Sequence, residues 1–541
     1  MNTVLEAREA SVRYLDAVEP PLVQKFDLLA GAPGGVARLR ELILCLATAG
    51  RLAVTRCDQS HWQRLALDQV GEWGSGGTPS KSHPEYYAGG TIPWLVIGDL
   101  NDGVVQSAAT CISDLGLRNS SAKIVEPGTV LVAMYGSIGK LGVAGLRCAT
   151  NQAIAFCRPN ADVVTGDFLF LFLRSIRASL LQRGQGLAQQ NISQKILRNI
   201  EISVPPLAEQ ARIVARVGEL MQLCDALEAK GRLEAQQHAR LLETLLGTLT
   251  DSTTPEELAA NWQRVAEHFD LLLDRPEAVD VLEQTVLQLA VRGLLVPQDS
   301  NDEPADMLLH RIRLEKKQYV AEGKLKLERP LSPISAEEWP FDLPSGWTWV
   351  RWADIALKIG DIDHKMPAEV KEGIPYVSPR DFYGVNGIDY DGAKRIAYGD
   401  YLELSKKIRP ELGDLIYPRY GTIGVVRRVT DEREFLASYS CAIIKVLREF
   451  IDPDYQYLFS ASGCAMEQAA KATNKTTQPN VGLRSIQEFL FPLPPIAEQS
   501  RIVARVAELR RLCTDLRQRL AASQATQLRL AEALVESVVS A

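Results

Sequence analysis

One feature restricts what this chain can fold into: the sequence contains the same unit twice. The segment PPLAEQARIVARVGELMQLC starts at Pro205, and PPIAEQSRIVARVAELRRLC starts 289 residues later, at Pro494. A second pair of matching segments starts with FDLL at Phe26 and, 243 residues later, at Phe269. Matches of this length are not chance, so we predict two copies of one unit, each made of a short helix, a variable domain and a longer helix.

The repeated Pro-Pro segments have the pattern of long helices. Apolar residues recur at steps of three and four positions, at Ile213, Val217, Leu220, Cys224 and Leu227 in the first copy and at Ile502, Val506, Leu509, Cys513 and Leu516 in the second. This spacing predicts one apolar seam on each helix, as in a coiled coil. A helix of about 40 residues spans roughly 60 Å, so we interpret each one as a spacer.

The two variable domains share landmarks in the same order, although their loops differ. The matched positions are Trp62 with Trp349, Ile92 with Ile374, Asp99 with Asp381, Tyr135 with Tyr420, and Asn191 with Asn480. Segments such as TVLVAMYG, AIAFC, DLIYPRYG and CAIIKVL have the pattern of strands, whereas FLFLFLRSIRASLL and YQYLFSASGCAMEQAAK have that of helices. We therefore predict an α+β fold in each variable domain.

The two repeat offsets differ by 46 residues, so the second copy carries an insertion between about 296 and 342. Its charged helical stretch, flanked by Pro- and Ser-containing segments, predicts an extended, solvated linker. The predicted domain boundaries are 1–59 for a helical segment, 60–204 and 343–493 for the variable domains, 205–298 for the central helical region, 299–342 for the linker and 494–541 for the final helix.

Composition limits the interpretation without pointing to nucleic acid. The net charge is −7, and the variable domains carry 12 basic against 10 acidic residues and 19 against 20, so any positive face must be local. Nine cysteines without a CxxC pair are interpreted as reduced, mostly buried thiols, and no metal site is predicted. Because a secretory signal and long apolar runs are absent from the sequence, we expect a cytoplasmic protein.

The duplicated helix, the tyrosine-glycine turns and the asparagine-bearing loops together resemble the specificity subunit of type I restriction-modification enzymes. The segment LPSGWTWVRW from Leu343 is also similar to the start of a target recognition domain in that family. The resemblance implies two globular target recognition domains, joined by two long antiparallel coiled-coil helices in an internal pseudo-two-fold repeat. It covers nearly the whole chain apart from about the first 25 residues and the linker.

The resemblance also implies a function. Each target recognition domain would bind one half of a bipartite, asymmetric site in double-stranded DNA, and the helices would set the gap and dock two methyltransferase subunits. Two motor-nuclease subunits would complete the restriction complex. S-adenosylmethionine, ATP and Mg²⁺ are expected in those partners, and this chain is expected to hold no cofactor.

Base readout requires polar side chains on loops, so we predict contacts to DNA from residues near the shared landmarks. The predicted DNA-binding residues are Thr78, Ser80, Lys81, Tyr135, Ser137, Lys140, Gln189, Gln190 and Asn191 in the first domain, and Lys365, Arg380, Arg419, Tyr420, Thr422, Lys475, Thr477, Gln478 and Asn480 in the second. The alternatives are core packing for the two tyrosines and helix capping for the two asparagines.

The repeated helix starts are predicted to bind the partner subunits. The residues concerned are Pro206, Glu209, Gln210, Arg212, Ile213 and Arg216 in the first copy, and Pro495, Glu498, Gln499, Arg501, Ile502 and Arg505 in the second.

Local strings that could indicate catalysis are incomplete. In GSIGK, which starts at Gly136, Leu141 replaces the magnesium-binding hydroxyl of a phosphate loop, and Met134 stands where its first glycine would be. The acid-x-lysine strings at Asp363 and Glu369 lack a partner acid on a preceding strand. We therefore expect a non-catalytic recognition subunit. A protein-binding coiled-coil adaptor remains an alternative, as does service to a system that only methylates or that has a fused nuclease and methyltransferase partner.

Overall fold

The computed structural model describes residues 31–52, 61–184, 191–326, 330–474 and 479–540. The chain divides into two compact units, of which unit 1 comprises residues 1–235 and 523–541, and unit 2 comprises residues 236–522. Each predicted variable domain therefore lies in its own unit. Within the described residues, no helix is both long and apolar enough to cross a membrane.

The helices of the described residues follow the duplicated order that the sequence predicts. Their bounds are α1 Gly35–Thr48, α2 Asp114–Arg118, α3 Gly166–Ser175, α4 Arg177–Gly184, α5 Gln194–Arg198, α6 Leu207–Thr250, α7 Pro255–Glu267, α8 Phe269–Leu272, α9 Pro276–Val291, α10 Ala305–Ala321, α11 Trp352–Ile355, α12 Tyr398–Ser405, α13 Pro453–Ser460, α14 Gly463–Ala472, α15 Leu483–Glu488 and α16 Ile496–Ser540.

In unit 1, two mixed sheets and one strand pair form the β part of the domain. The strands are β1 Gln63–Ala66, β2 Gly71–Ser75, β3 Ile92–Leu95, β4 Val104–Val105, β5 Cys111–Ile112, β6 Ile124–Val125, β7 Val130–Ala133, β8 Leu141–Ala144, β9 Cys148–Thr150, β10 Ile154–Pro159 and β11 Glu201–Val204. The larger sheet has the order β2-β10-β7-β8-β4, the smaller one has the order β5-β3-β9-β6, and β1 pairs with β11.

Unit 2 repeats this plan. Its strands are β12 Thr348–Arg351, β13 Ala356–Gly360, β14 Ile374–Val377, β15 Phe382–Tyr383, β16 Gly387–Ile388, β17 Lys394–Ile396, β18 Leu415–Pro418, β19 Arg427–Arg428, β20 Leu436–Ala437, β21 Cys441–Val446 and β22 Leu490–Leu493. They form sheets in the orders β13-β21-β18-β19 and β17-β14-β20, with the pairs β12-β22 and β15-β16. The predicted α+β fold is confirmed in both domains.

The two long helices, α6 with 44 residues and α16 with 45, pair within each unit. In unit 1, Ile213, Val217 and Cys224 from the first half of α6 share a buried core with Ala531 from the last half of α16. In unit 2, Leu246 from the last half of α6 shares a core with Cys513 from the first half of α16. Opposite ends of the helices meet in each case, as expected for antiparallel pairing.

The inserted segment is not the extended, solvated linker that its composition predicts. Residues 305–321 form helix α10, and its Leu308 and Ile312 are fully buried in the main core of unit 2. The Lys316 ammonium donates hydrogen bonds to the carbonyls of Ala353, at 2.6 Å, and Ala356, at 2.9 Å. The apolar positions of α10 recur at helical spacing, and their burial outweighs the charge of the other residues.

Strand register corrects one of the sequence matches. Gln63 pairs with Val204, and Thr348 pairs with Leu493, which occupies the same place before its Pro-Pro pair. Trp62 therefore corresponds to Trp347 and not to Trp349. The other landmarks agree, because the carboxylates of Asp99 and Asp381 accept matching bonds from the backbone N–H groups three residues earlier, at 2.8 Å and 2.7 Å.

Candidate nucleic-acid interface

In each domain, the tyrosine-glycine turn lies beside the asparagine-bearing segment. Tyr135 and Asn191 form an isolated antiparallel bridge in unit 1, and Tyr420 and Asn480 form the same bridge in unit 2. The adjacent backbone bonds also match, since Ile192 N–H donates to the Met134 carbonyl at 2.8 Å and Val481 N–H to the Arg419 carbonyl at 3.0 Å. Two segments far apart in sequence are thus brought to one place in both domains.

The glycines of these turns have a local structural reason. Gly136 and Gly139 have φ angles of 75° and 75°, and Gly421 and Gly424 have 72° and 81°. Residues other than glycine rarely adopt this left-handed backbone conformation. The turn leaves Ser137 and Thr422 exposed at its tip, where a hydroxyl can reach a phosphate or a base edge.

The asparagines do not cap the helices that follow them. The N-cap of α5 is Ser193, whose hydroxyl accepts a bond from Ile196 N–H at 3.3 Å, and the N-cap of α15 is Gly482. The capping alternative is therefore wrong. The packing alternative holds in part, because Tyr135 is half-buried against the core of unit 1.

In the first domain, three segments converge at the tyrosine turn. The Tyr135 hydroxyl lies near the Gln152 side chain, and its pKa is raised because burial outweighs the opposing effect of Gln152. Thr78 donates its hydroxyl to the Gln152 side-chain oxygen. The loop that carries Thr78 is anchored behind it, since the indole of Trp94 donates to the Gly77 carbonyl at 3.0 Å.

Close backbone approach also fixes this loop. A Cβ atom on Gly76 would lie 1.7 Å from the carbonyl oxygen of Thr150, which is far too close for two non-bonded atoms, so only glycine fits at this position. Beyond the loop, Ser80 and Lys81 are exposed, and the Ser80 hydroxyl lies 2.7 Å from that of Ser82. Lys140 is half-buried, with its ammonium 3.4 Å from the Ile97 carbonyl.

The second domain places charged and aromatic groups at the same turn. Asp361 is buried and forms an ion pair with Arg419, whose guanidinium lies 5.6 Å from the centre of the Tyr420 ring. His364 Nε2 is 3.5 Å from the Asp361 carboxylate, and the His364 ring stacks on Tyr439 with centroids 5.0 Å apart.

The prediction that Arg419 contacts DNA is corrected by its surroundings. The residue is 7% exposed, and besides its bond to Asp361 it donates from Nε to the Val481 carbonyl at 3.1 Å. Arg419 therefore stabilises the turn from the interior of the domain. Arg380 is exposed on the turn Pro379–Asp381, and Lys365 is exposed with its ammonium 3.2 Å from the Glu403 carboxylate.

Five of the predicted DNA-binding residues lie outside the described residues: Gln189, Gln190, Lys475, Thr477 and Gln478. Three residues at the turns were not predicted, namely Gln152, His364 and Tyr439. Gln152 lies in the string NQA and Tyr439 in the equivalent string SYS, and the two strings share no residue type at matching places. Comparison of the two copies at the level of sequence therefore gives no signal for these positions.

Several residues at the repeated helix starts hold their own domain and cannot offer a partner surface. Gln210 accepts from Thr165 N–H at 2.8 Å and donates to the carbonyls of Val163, at 2.9 Å, and Pro205, at 2.8 Å. Gln499 likewise accepts from Asp452 N–H at 2.8 Å and donates to the Pro494 carbonyl at 3.2 Å. Each glutamine ties the start of a long helix to the capping residue of a domain helix.

The second repeat also buries a carboxylate at this point. Glu498 is 1% exposed and accepts from the Trp347 indole at 2.9 Å and from the Gln298 amide at 2.8 Å. Burial raises the pKa of Glu498. In unit 1, the Oε1 atom of Glu209 and the indole nitrogen of Trp62 are buried, and neither has a hydrogen-bond partner among the described residues.

The prediction of a partner-binding helix start is therefore corrected for its buried members, which are Gln210, Ile213, Pro495, Glu498, Gln499 and Ile502. Pro206, Arg212 and Arg505 are exposed, with Arg505 2.6 Å from Glu508, while Arg216 pairs with Glu219 at 2.5 Å and Arg501 with Asp302 at 2.5 Å. For the members that are not buried, binding of a partner subunit stays a prediction.

No group of His, Cys, Asp and Glu within the described ranges could hold a metal ion. The two turns together instead offer exposed or partly exposed hydroxyl, amide, imidazole and phenol groups. These groups can donate and accept hydrogen bonds at base edges and phosphates.

Comparison with known proteins gives a consistent result. The family described as "Type I restriction modification DNA specificity domain" matches residues 59–237 and 344–523. The chain is 33% identical over 430 residues to the type I restriction enzyme EcoAI specificity subunit of Escherichia coli, covering 73% of this chain and 68% of that protein. It is 36% identical over 404 residues to the EcoEI specificity subunit of Escherichia coli, covering 71% and 66%.

Solved structures overlap less closely. One from work on complex assembly and conformational transition of the type I R-M system has a TM-score of 0.47 at 17% identity, covering 89% of this chain and 98% of that chain. The HsdS subunit from Thermoanaerobacter tengcongensis has a TM-score of 0.38 at 16% identity, covering 88% and 96%. On the tandem family match and the two curated relatives, this chain belongs to the family of type I restriction-modification DNA specificity subunits.

Proposed function

We propose that each domain binds one half of a bipartite, asymmetric site in double-stranded DNA, and that α6 and α16 fix the gap between the halves. The observation that carries this proposal is the duplicated bridge between the tyrosine turn and the asparagine segment. The two copies share this backbone frame and differ in the side chains on it, as two readers of different sequences require.

The surface chemistry supports DNA as the ligand. Ser137, Thr422 and Arg380 are exposed polar groups on or near the turns. Because neither variable domain is strongly basic, phosphate contacts from this chain alone are few, and the partner subunits would supply the rest.

The proposal assigns the chemistry to partners. Two methyltransferase subunits would dock on the long helices, through exposed residues such as Arg212 and Arg505. Two motor-nuclease subunits would join them for restriction. S-adenosylmethionine, ATP and Mg²⁺ would be bound by those subunits, and this chain would contribute recognition without a catalytic group.

The test is a genome-wide map of methylated adenine in cells with and without the gene. The expected result is one bipartite motif, methylated in both strands, that disappears with the gene. A motif that persists, or a single uninterrupted motif, would contradict the proposal. Purified chain without its partners is expected to neither methylate nor cut DNA, and either activity would contradict the non-catalytic assignment.

A further inference from the structure

Strand register places Gln152 of the first domain and Tyr439 of the second at the same position of the fold. Asn151 N–H donates to the Leu95 carbonyl at 3.0 Å, and Met134 N–H donates to the Ala153 carbonyl at 2.8 Å, so Gln152 lies between two fixed residues. In unit 2, Ser438 N–H donates to the Val377 carbonyl at 2.7 Å and Arg419 N–H to the Ser440 carbonyl at 2.8 Å, which encloses Tyr439 in the same way.

The partners of these residues are also equivalent. Phe156 lies four residues after Gln152 and pairs with Gly74. Ile443 lies four residues after Tyr439 and pairs with Gly360. Thr78 and His364 follow these glycines by four residues each. One pair of positions is therefore in side-chain contact in both domains, as Thr78 with Gln152 and as His364 with Tyr439.

The frame around the pair is constant while the pair itself changes. Both domains have the tyrosine of the turn, the bridged asparagine and the left-handed glycines. Thr78 and Gln152 are exposed, and the His364 side chain is 59% exposed, so these groups face solvent on a rigid support. A rigid support with interchangeable exposed side chains is suited to sequence readout.

The Gln152 amide is held at its oxygen before any ligand arrives. Thr78 donates its hydroxyl to that side-chain oxygen, and the Tyr135 hydroxyl lies near the same side chain. An amide has two N–H donors and an oxygen with two lone pairs, so N–H donors and one oxygen lone pair stay available for a ligand. This combination matches the N6 amino group and N7 of adenine in the major groove.

The second pair offers different chemistry at the equivalent position. Imidazole and phenol present single hydrogen-bonding atoms and aromatic faces, and neither can make the two-point amide contact with adenine. The two half-sites are therefore expected to be read by different contacts at the step concerned.

We propose that the Thr78–Gln152 pair reads an adenine in the half-site bound by the first domain, and that the His364–Tyr439 pair is the equivalent specificity-determining pair for the other half-site. This inference rests on the proposed function and adds the side chains that make the two halves different.

The first experiment maps methylated motifs for the full chain expressed with its methyltransferase partner. Gln152→Ala is expected to relax one position of the first half-site, with methylation of sites that lack the adenine rising about tenfold. His364→Ala is expected to alter the second half-site only. The control is Gln106→Ala, an exposed glutamine of the same domain beside Gly145, which should leave the motif unchanged.

A second measurement covers the case in which Gln152→Ala does not fold. Wild-type complex is titrated with duplexes in which each adenine of the first half-site is replaced in turn by 7-deazaadenine, which lacks the N7 acceptor. One position should lose about tenfold in affinity, and folded Gln152→Ala should not distinguish that duplex from the parent.

The outcomes separate the two proposals. A bipartite wild-type motif that stays unchanged in folded Gln152→Ala, or wild-type affinity that is indifferent to 7-deazaadenine at every position, would overturn this inference and leave the proposed function standing. A wild-type chain that gives no bipartite motif would overturn the proposed function itself.

Discussion

Lengthening both long helices should lengthen the DNA gap by a computable amount. The perturbation is a matched insertion of seven residues between Ala235 and Gln236 in α6 and between Ala522 and Ser523 in α16. The chain passes between unit 1 and unit 2 at these junctions, and residues 228–237 of α6 are all exposed. Seven residues make nearly two full turns, so the apolar seams stay in phase.

The magnitude follows from helix and duplex geometry. Seven residues add about 10.5 Å at 1.5 Å per residue. One base pair occupies about 3.4 Å of duplex, so the gap should grow by about 3 base pairs. Both half-site sequences should be unchanged, because the inserted residues lie outside the turns and their neighbours.

Adenine-methylation mapping of the full complex gives the gap directly. The control is a seven-residue insertion after Lys326, in the segment that follows α10, which should leave the gap at its original length. A matched double insertion that methylates DNA efficiently with the original gap would show that the long helices do not set the spacing.

Three further changes test the local arguments. Gly76→Ala should remove methylation, because a Cβ would overlap the Thr150 carbonyl at 1.7 Å, whereas Gly98→Ala, with nothing within 4 Å, should be neutral in the same motif assay. Gln499→Ala should lower the free energy of unfolding by about 1–3 kcal/mol in urea titrations, since buried groups lose their partners, and a loss equal to that of exposed Gln518→Ala would contradict this. Burial raises the pKa of Glu498 above 4.5, so the folded state keeps the Glu498 proton to higher pH than the unfolded state does. The free energy of unfolding of the wild type, relative to that of Glu498→Gln, should therefore fall as the pH rises through the pKa of Glu498 in the folded state. A difference between the two proteins that does not depend on pH would refute this prediction.

Periodicity and repetition predicted most of the scaffold. The apolar runs TVLVAMYG and CAIIKVL contain strands Val130–Ala133 and Cys441–Val446, and the repeated Pro-Pro segments begin the long helices. The helical stretch YQYLFSASGCAMEQAAK is divided into two helices, because the Ser462 hydroxyl caps the second one by accepting from Ala465 N–H at 3.4 Å. These features are set by local spacing, which a sequence displays directly.

Features that depend on tertiary contacts were not predictable. Matching residue types aligned Trp62 with the wrong tryptophan, because two tryptophans lie two residues apart and only strand pairing distinguishes them. The burial of the helix in the inserted segment was missed because its charged residues outnumber the few apolar ones that the domain buries. Arg419 has the sequence features of a phosphate contact, and only the position of Asp361 shows that it is committed to the interior.

The strand pairs β1-β11 and β12-β22 have a consequence for how such genes can evolve. Each pair brings the first and last strands of a variable domain side by side, with partners Ala66 and Glu201 in one and Arg351 and Leu490 in the other. Neighbouring strands lie about 4.8 Å apart, so the chain enters and leaves each variable domain at adjacent positions. Recombination inside these strands would exchange a whole domain as a cassette while leaving the helices intact. A single exchange of this kind would replace one variable domain and leave the other unchanged.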